Sequence, residues 1–106
     1  MSKKKLYHKL VRDRIPEIID EAGKKYQICQ LRERDLMNFA LKKLREEVQE
    51  FVENPSAEEA ADIQEILDFI CDRLQIKASA VEAERMAKRI TRGGFDLGIL
   101  LEWVEE

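Results

Sequence analysis

Two amphipathic helical patterns, separated by only three residues, restrict the fold more than any other feature of this chain. They lie in and around the stretch LKKLREEVQEFVENPSAEEAADIQEILDFICDRL, Leu41 to Leu74. In the first, Met37, Leu41, Leu44, Val48, Phe51 and Val52 recur at helical spacing. In the second, Ala60, Ile63, Leu67, Ile70 and Leu74 do the same. Asn54-Pro55 stops the first pattern, because the residue before a proline is pushed out of the helical region. Ser56, with Glu59 three residues later, has the capping-box spacing that opens the second. The spacing predicts helices over roughly 33–53 and from Ser56 to about Leu74. A connection this short makes them antiparallel neighbours.

The flanks read as follows. YHKLVRDRIPEIIDEAG is a lead-in and a short helix, with Pro16 in the first turn and Gly23 just past the end. KKYQICQL reads as an extended piece. Ser79 and Glu82 repeat the capping-box spacing for a last helix, AVEAERMAKRIT, which Gly93-Gly94 closes. FDLGILLEWVEE is apolar but poorly periodic, and is expected to pack back on the core or on a partner subunit. The class is all-α: one domain over 1–106, an antiparallel helical bundle with a short non-helical C-terminal tail. With 39% charged residues, four glycines and two prolines, the composition suits helices with exposed faces better than a turn-rich sandwich.

A formal net charge of −3 gives no general attraction to nucleic acid or membrane. The start MSKKKLYHKLVRDR is locally basic, but the acidic net balance and the absence of an interleaved basic-aromatic surface mean that no stable nucleic-acid partner is expected. No apolar run approaches the roughly 18 residues of a membrane span, and no apolar stretch follows the basic start as in a signal peptide. Cys29 and Cys71 read as reduced and buried, which places the chain in the cytoplasm. Domains this short have small cores, and the apolar tail offers more surface to cover, so a homodimer or homotetramer is expected.

The acids divide by direction. On helical wheels Glu47 and Glu50 lie on one shoulder of the first stripe, and Glu59 and Asp62 on one shoulder of the second. Glu46, Glu53, Glu58, Glu65 and Asp72 point away. Pairing the stripes brings the four shoulder carboxylates near one another across the Asn54-Pro55 turn. Like charges so close repel, and burial adds to the cost. The alternatives are solvated acids on exposed faces, or a hard divalent cation between them. Mg²⁺ favours carboxylate oxygens and takes substrate phosphates as further ligands. Glu59 is claimed by both the cap and the metal.

EEVQE, with Glu46, Glu47 and Glu50, followed by EEAAD, with Glu59 and Asp62, resembles the ExxE…ExxD signature of the all-α nucleoside triphosphate pyrophosphohydrolases. That superfamily includes MazG, dimeric dUTPases and phosphoribosyl-ATP pyrophosphohydrolase. YHKLVRDRIPEII at 7–19 and RGGF at 92–95 are similar to the flanking motifs of a MazG-like, phosphoribosyl-ATP-pyrophosphohydrolase-like branch, so the resemblance covers nearly the whole chain. It implies a MazG-like bundle, with Mg²⁺ (or Mn²⁺ as substitute) held by Glu47, Glu50, Glu59 and Asp62. It also implies hydrolysis of a nucleotide at the α–β phosphoanhydride, giving a nucleoside monophosphate and pyrophosphate. Glu46, Glu47 and Glu50 are the catalytic candidates, with Glu46 able to orient the attacking water only if it turns toward the site.

Phosphates need further positive charge. Lys43, four residues before Glu47, is a candidate phosphate contact or simply an ion-pair partner of that glutamate. Arg73 lies on the Asp62 side of its helix. Arg92 sits at a helix C-terminus, where cations are favoured. Lys9 and Arg12 either lock the N-terminal segment or close over the nucleotide. His8, the only histidine, has no second histidine nearby in sequence and reads as a surface residue. Phe95 and Trp103 read as core or interface. The RGGF glycines lack the spacing of a P-loop. The competing assignment from another class is a non-catalytic helical interaction module with solvated acidic faces.

Overall fold

The computed structural model describes residues 3–106. Among them are four helices and no strand: α1 Ile15–Glu21, α2 Glu33–Glu53, α3 Ala57–Arg73 and α4 Ala78–Arg92. The chain divides into two compact units, Met1–Ile70 and Cys71–Glu106, with the division falling inside α3.

In the first unit, α1 begins with a proline in its first turn and ends at Gly23, whose φ is +73°. The Gly23 N–H donates to the Asp20 carbonyl (2.9 Å) and the Lys24 N–H to the Ile19 carbonyl (3.2 Å). These two bonds form the glycine-terminated helix end, which needs a positive φ. KKYQICQL is irregular, and Cys29 is exposed rather than buried, since no neighbouring strand or helix covers that segment.

The α2–α3 hairpin holds the core. Ala40 of α2 is buried with Ile66 and Ile70 of α3, and Leu10, Met37, Leu44 and Phe69 pack against them. Ala40 clusters with Ile66 and Ile70, while Glu47, further along α2, meets Glu59 at the start of α3, so the helices run antiparallel. Ser56 Oγ accepts from the Glu59 N–H at 3.1 Å, which is the predicted cap of α3.

Helix boundaries follow the local pattern, but the buried face does not. Leu41, Val48, Val52 and Leu67, expected in the inter-helix stripe, are exposed. The packed face is turned toward Ala40, Leu44 and Glu47 on α2 and toward Ile66 and Ile70 on α3. The apolar arc on each helix is wider than one neighbour can cover. Packing selects one edge of it and leaves the other in solvent.

In the second unit, α3 ends through Gln75, a non-glycine residue with φ +60°. The Gln75 N–H donates to the Asp72 carbonyl (3.1 Å) and the Ile76 N–H to the Cys71 carbonyl (2.8 Å). The hydrogen-bond pattern matches that at Gly23, here without a glycine. Cys71 is half-buried and, like Cys29, free. α4 starts one residue earlier than its expected cap. Lys77 precedes it, so Ser79 lies within the first turn and caps nothing, and Glu82 pairs with Arg85 (2.6 Å). Gly93, φ +83°, ends α4. The tail after it does not pack back on a core: Phe95 is 97% and Trp103 75% exposed. A shallow groove of about 390 Å³ on this unit is lined by Ile76, Ala80, Val81, Glu84, Arg85 and Lys88.

Candidate functional site

The polar site lies in the first unit, at the Asn54-Pro55 end of the hairpin. Glu47, Glu50 and Glu59 each place one carboxylate oxygen within 4.8 Å of the others. Glu47 and Glu50 are one turn apart on α2, and Glu59 is in the first turn of α3, where the short connection turns it back toward them. Glu47 is not a shoulder residue. At 5% exposure it is as buried as Ile70 of the core. The rotation that exposes Val48 carries Glu47 and Glu50 onto the packed face.

A buried carboxylate is costly unless its oxygens are bonded. Glu47 Oε1 lies 3.3 Å from Lys43 Nζ, the i,i+4 pair expected from spacing. Its Oε2 is buried with no hydrogen-bond partner, and so is Glu59 Oε2. Burial pushes the Glu47 carboxyl above its ordinary range. Lys43 opposes this, and the negative charges of Glu50 and Asp62 add to it. The double claim on Glu59 is resolved by its parts: its backbone N–H serves the cap, while its carboxylate faces the trio.

Asp62 lies outside the trio. Its Oδ1 accepts from Arg12 Nη2 at 2.7 Å. Glu46, expected to point away, instead borders the cluster. Its Oε1 accepts from Lys9 Nζ at 2.7 Å and lies 3.5 Å from Lys43. The Lys9 bond holds the Glu46 carboxyl below the ordinary carboxylate range. The wheel failed for Glu46 because the packed face is rotated, and because Lys9 reaches it from 37 residues away.

Lys9 and Arg12 thus meet the hairpin on opposite helices. Between them Leu10 packs against the core cluster, and the His8 ring meets Phe39 edge-on at 5.6 Å. His8 is exposed, with φ +45°. Of the two roles open to Lys9 and Arg12 in the sequence, the contacts are those of a locked N-terminal segment; their partners, Glu46 and Asp62, lie 37 and 50 residues away and no local pattern names them. Arg73 and Arg92 are the last residues of α3 and α4, and both belong to the second unit.

The donor set suits a hard divalent cation: carboxylate oxygens only, two of them buried and unpartnered. Cations border the cluster: Lys9 pairs with Glu46, Arg12 with Asp62, and Lys43 with Glu46 and Glu47. Comparison with known proteins adds no relative: no family model matches the chain, and neither does any curated protein or solved structure.

Proposed function

We propose that the chain is a Mg²⁺-dependent nucleotide pyrophosphohydrolase of MazG-like architecture, cleaving a nucleotide at the α–β phosphoanhydride and clearing non-standard or excess nucleotides. The observation that carries this is the convergence of Glu47, Glu50 and Glu59 with two buried oxygens left without partners. The ExxE…ExxD spacing supports the same assignment. Glu47, Glu50 and Glu59 would hold Mg²⁺, or Mn²⁺ in its place, with Asp62 adjoining. The ion supplies charge neutralisation for polyphosphate oxygens and acidifies water.

The chain's own residues have distinct tasks. Lys43 ties Glu47 to Glu46 and fixes both side chains. Glu46, held anionic by Lys9, accepts a hydrogen bond from water and orients it, but is a weak proton acceptor. Lys9 and Arg12 carry positive charge at the rim, where phosphate oxygens would lie. A second copy of the chain is the partner that best suits the exposed Leu41, Val48, Val52 and Leu67 and the apolar tail, as a homodimer or homotetramer. Two unpaired cysteines suit the reducing cytoplasm. No helix of the described residues is long and apolar enough to cross a membrane.

The test is pyrophosphate release from a panel of canonical, deoxy and damaged nucleotides and phosphoribosyl-ATP, with and without Mg²⁺. Glu47→Gln should lower Mg²⁺-dependent turnover by more than about 100-fold, beyond what the loss of an outer-shell partner costs. No turnover by the parent on any member would overturn the enzyme assignment. It would favour the second reading, a helical interaction module, for which the exposed tail is the specific support.

A further inference from the structure

Arg12 and Asp62 form a contact whose position suggests more than a brace. Residues 3–13 form no helix or strand, yet the segment is seated. Leu10 packs on the core cluster, Lys9 bonds to Glu46 of α2, and Arg12 bonds to Asp62 of α3. It therefore crosses from one helix of the hairpin to the other beside the carboxylate trio. Asp62 lies one turn after Glu59 on α3, so the two share a helix face. Its negative charge is also felt at Glu47. Asp62 is thus a neighbour of the trio, with one oxygen taken by a guanidinium.

We propose that Arg12 is a positioning residue that competes with a divalent cation for Asp62, so that the N-terminal segment acts as a removable counter-charge. This rests on the metal site proposed above. That site has a support beyond the acidic cluster itself: Glu47 is more than nine-tenths buried with Oε2 unpartnered. In the ion's absence the guanidinium offsets the charge of Asp62. When the ion enters the trio, the Asp62 carboxylate exchanges Arg12 for it, and the freed guanidinium faces the rim.

The exchange is feasible because the pair is solvent-accessible: the Arg12 side chain is 56% and Asp62 29% exposed. Such pairs are weak and readily traded. The doubly charged ion gains from the added anionic oxygen, whereas the guanidinium loses one hydrogen bond and recovers it from water. Lys9 remains on Glu46, and Leu10 keeps the segment attached while Arg12 turns. Linkage then requires the converse: whatever strengthens the Arg12–Asp62 bond weakens the ion, and whatever removes it strengthens the ion.

The experiment is calorimetric titration of Mn²⁺ and Mg²⁺ into the full chain without nucleotide, for the parent, Arg12→Gln, Arg12→Lys, Asp62→Asn and Arg12→Gln/Asp62→Asn. Arg12→Gln should bind the ion about two- to fivefold more tightly, the range open to an exposed pair. Arg12→Lys should return toward the parent, and Arg12→Gln should have no effect in the Asp62→Asn background. Unchanged or weaker binding by Arg12→Gln, with native circular dichroism, overturns the competition and leaves the metal site standing. No ion binding by the parent overturns both. As a check that needs no variant, the Arg12 side-chain N–H signals should change on saturation with Mg²⁺; signals indifferent to the ion contradict the exchange.

Discussion

The hairpin end of the first unit and the tail of the second break opposite rules of solvation. At the hairpin end, Glu47 is as buried as an isoleucine of the core, with one oxygen unpartnered. In the tail, Phe95, Leu97, Ile99 and Leu100 stand in solvent. Both arrangements cost free energy, for different physical reasons. Buried carboxylate oxygens are costly without a hydrogen-bond donor, a proton or a cation. Exposed aliphatic and aromatic side chains favour a broad apolar partner. The proposed chemistry belongs to the first region and the proposed assembly to the second, and the two can be perturbed separately.

The largest contrast is between matched aliphatic truncations. Ile70→Ala, in the hairpin core, should cost about 2–5 kcal/mol of unfolding free energy. Leu100→Ala should cost less than about 0.5 kcal/mol in dilute monomer, because an exposed side chain has little burial to lose. Urea denaturation over a range of protein concentrations checks both. A cost for Leu100→Ala that grows with concentration would show the tail covered by a second copy. Equal costs at every concentration would erase the difference between the regions.

A smaller effect sharpens the charged side of the contrast. Burial raises the Glu47 carboxyl in the folded chain, so the folded state holds the proton more tightly than the unfolded state does. The ion-free protein therefore loses stability as pH rises from the ordinary carboxylate range, about 4.3, through the raised value, and the loss levels off above it. Glu47→Gln removes this dependence and should be more stable than the parent near pH 7, with the gap closing on acidification. Thermal melts of both proteins in chelator from pH 4 to 7 measure the gap. A gap independent of pH would mean that Glu47 is solvated.

The smallest expected change lies at the end of α3. Gln75 adopts a positive φ that glycine takes without steric cost. Gln75→Gly should stabilise the chain by about 0.5–1 kcal/mol, net of the entropy that glycine adds to the unfolded state. A loss instead would mean that the backbone there does not hold the left-handed turn in solution, and would remove one fixed point from the second unit.

Much of the secondary structure was legible without coordinates. The bounds of α2, the Ser56 cap, the proline in the first turn of α1 and the glycines after α1 and α4 all follow from contacts within one or two turns. The misread start of α4 has the same local character: Ser79 has the right spacing to Glu82, but the helix begins before it. The one-turn spacing of Glu47 with Glu50, and of Glu59 with Asp62, was also visible, because residues three apart must share a helix face whatever surrounds the helix.

The sequence by itself determined where the chain coils and which acids stand one turn apart, since helical hydrogen bonds and caps are made between near neighbours. The tertiary structure decided which edge of each broad apolar arc is buried, and with it that Glu47 is in the core and Val48 outside. It also decided that Asp62 answers to Arg12 across 50 residues and Glu46 to Lys9 across 37. Those choices depend on how α2, α3 and the N-terminal segment meet, and no periodicity along one helix encodes the position of another.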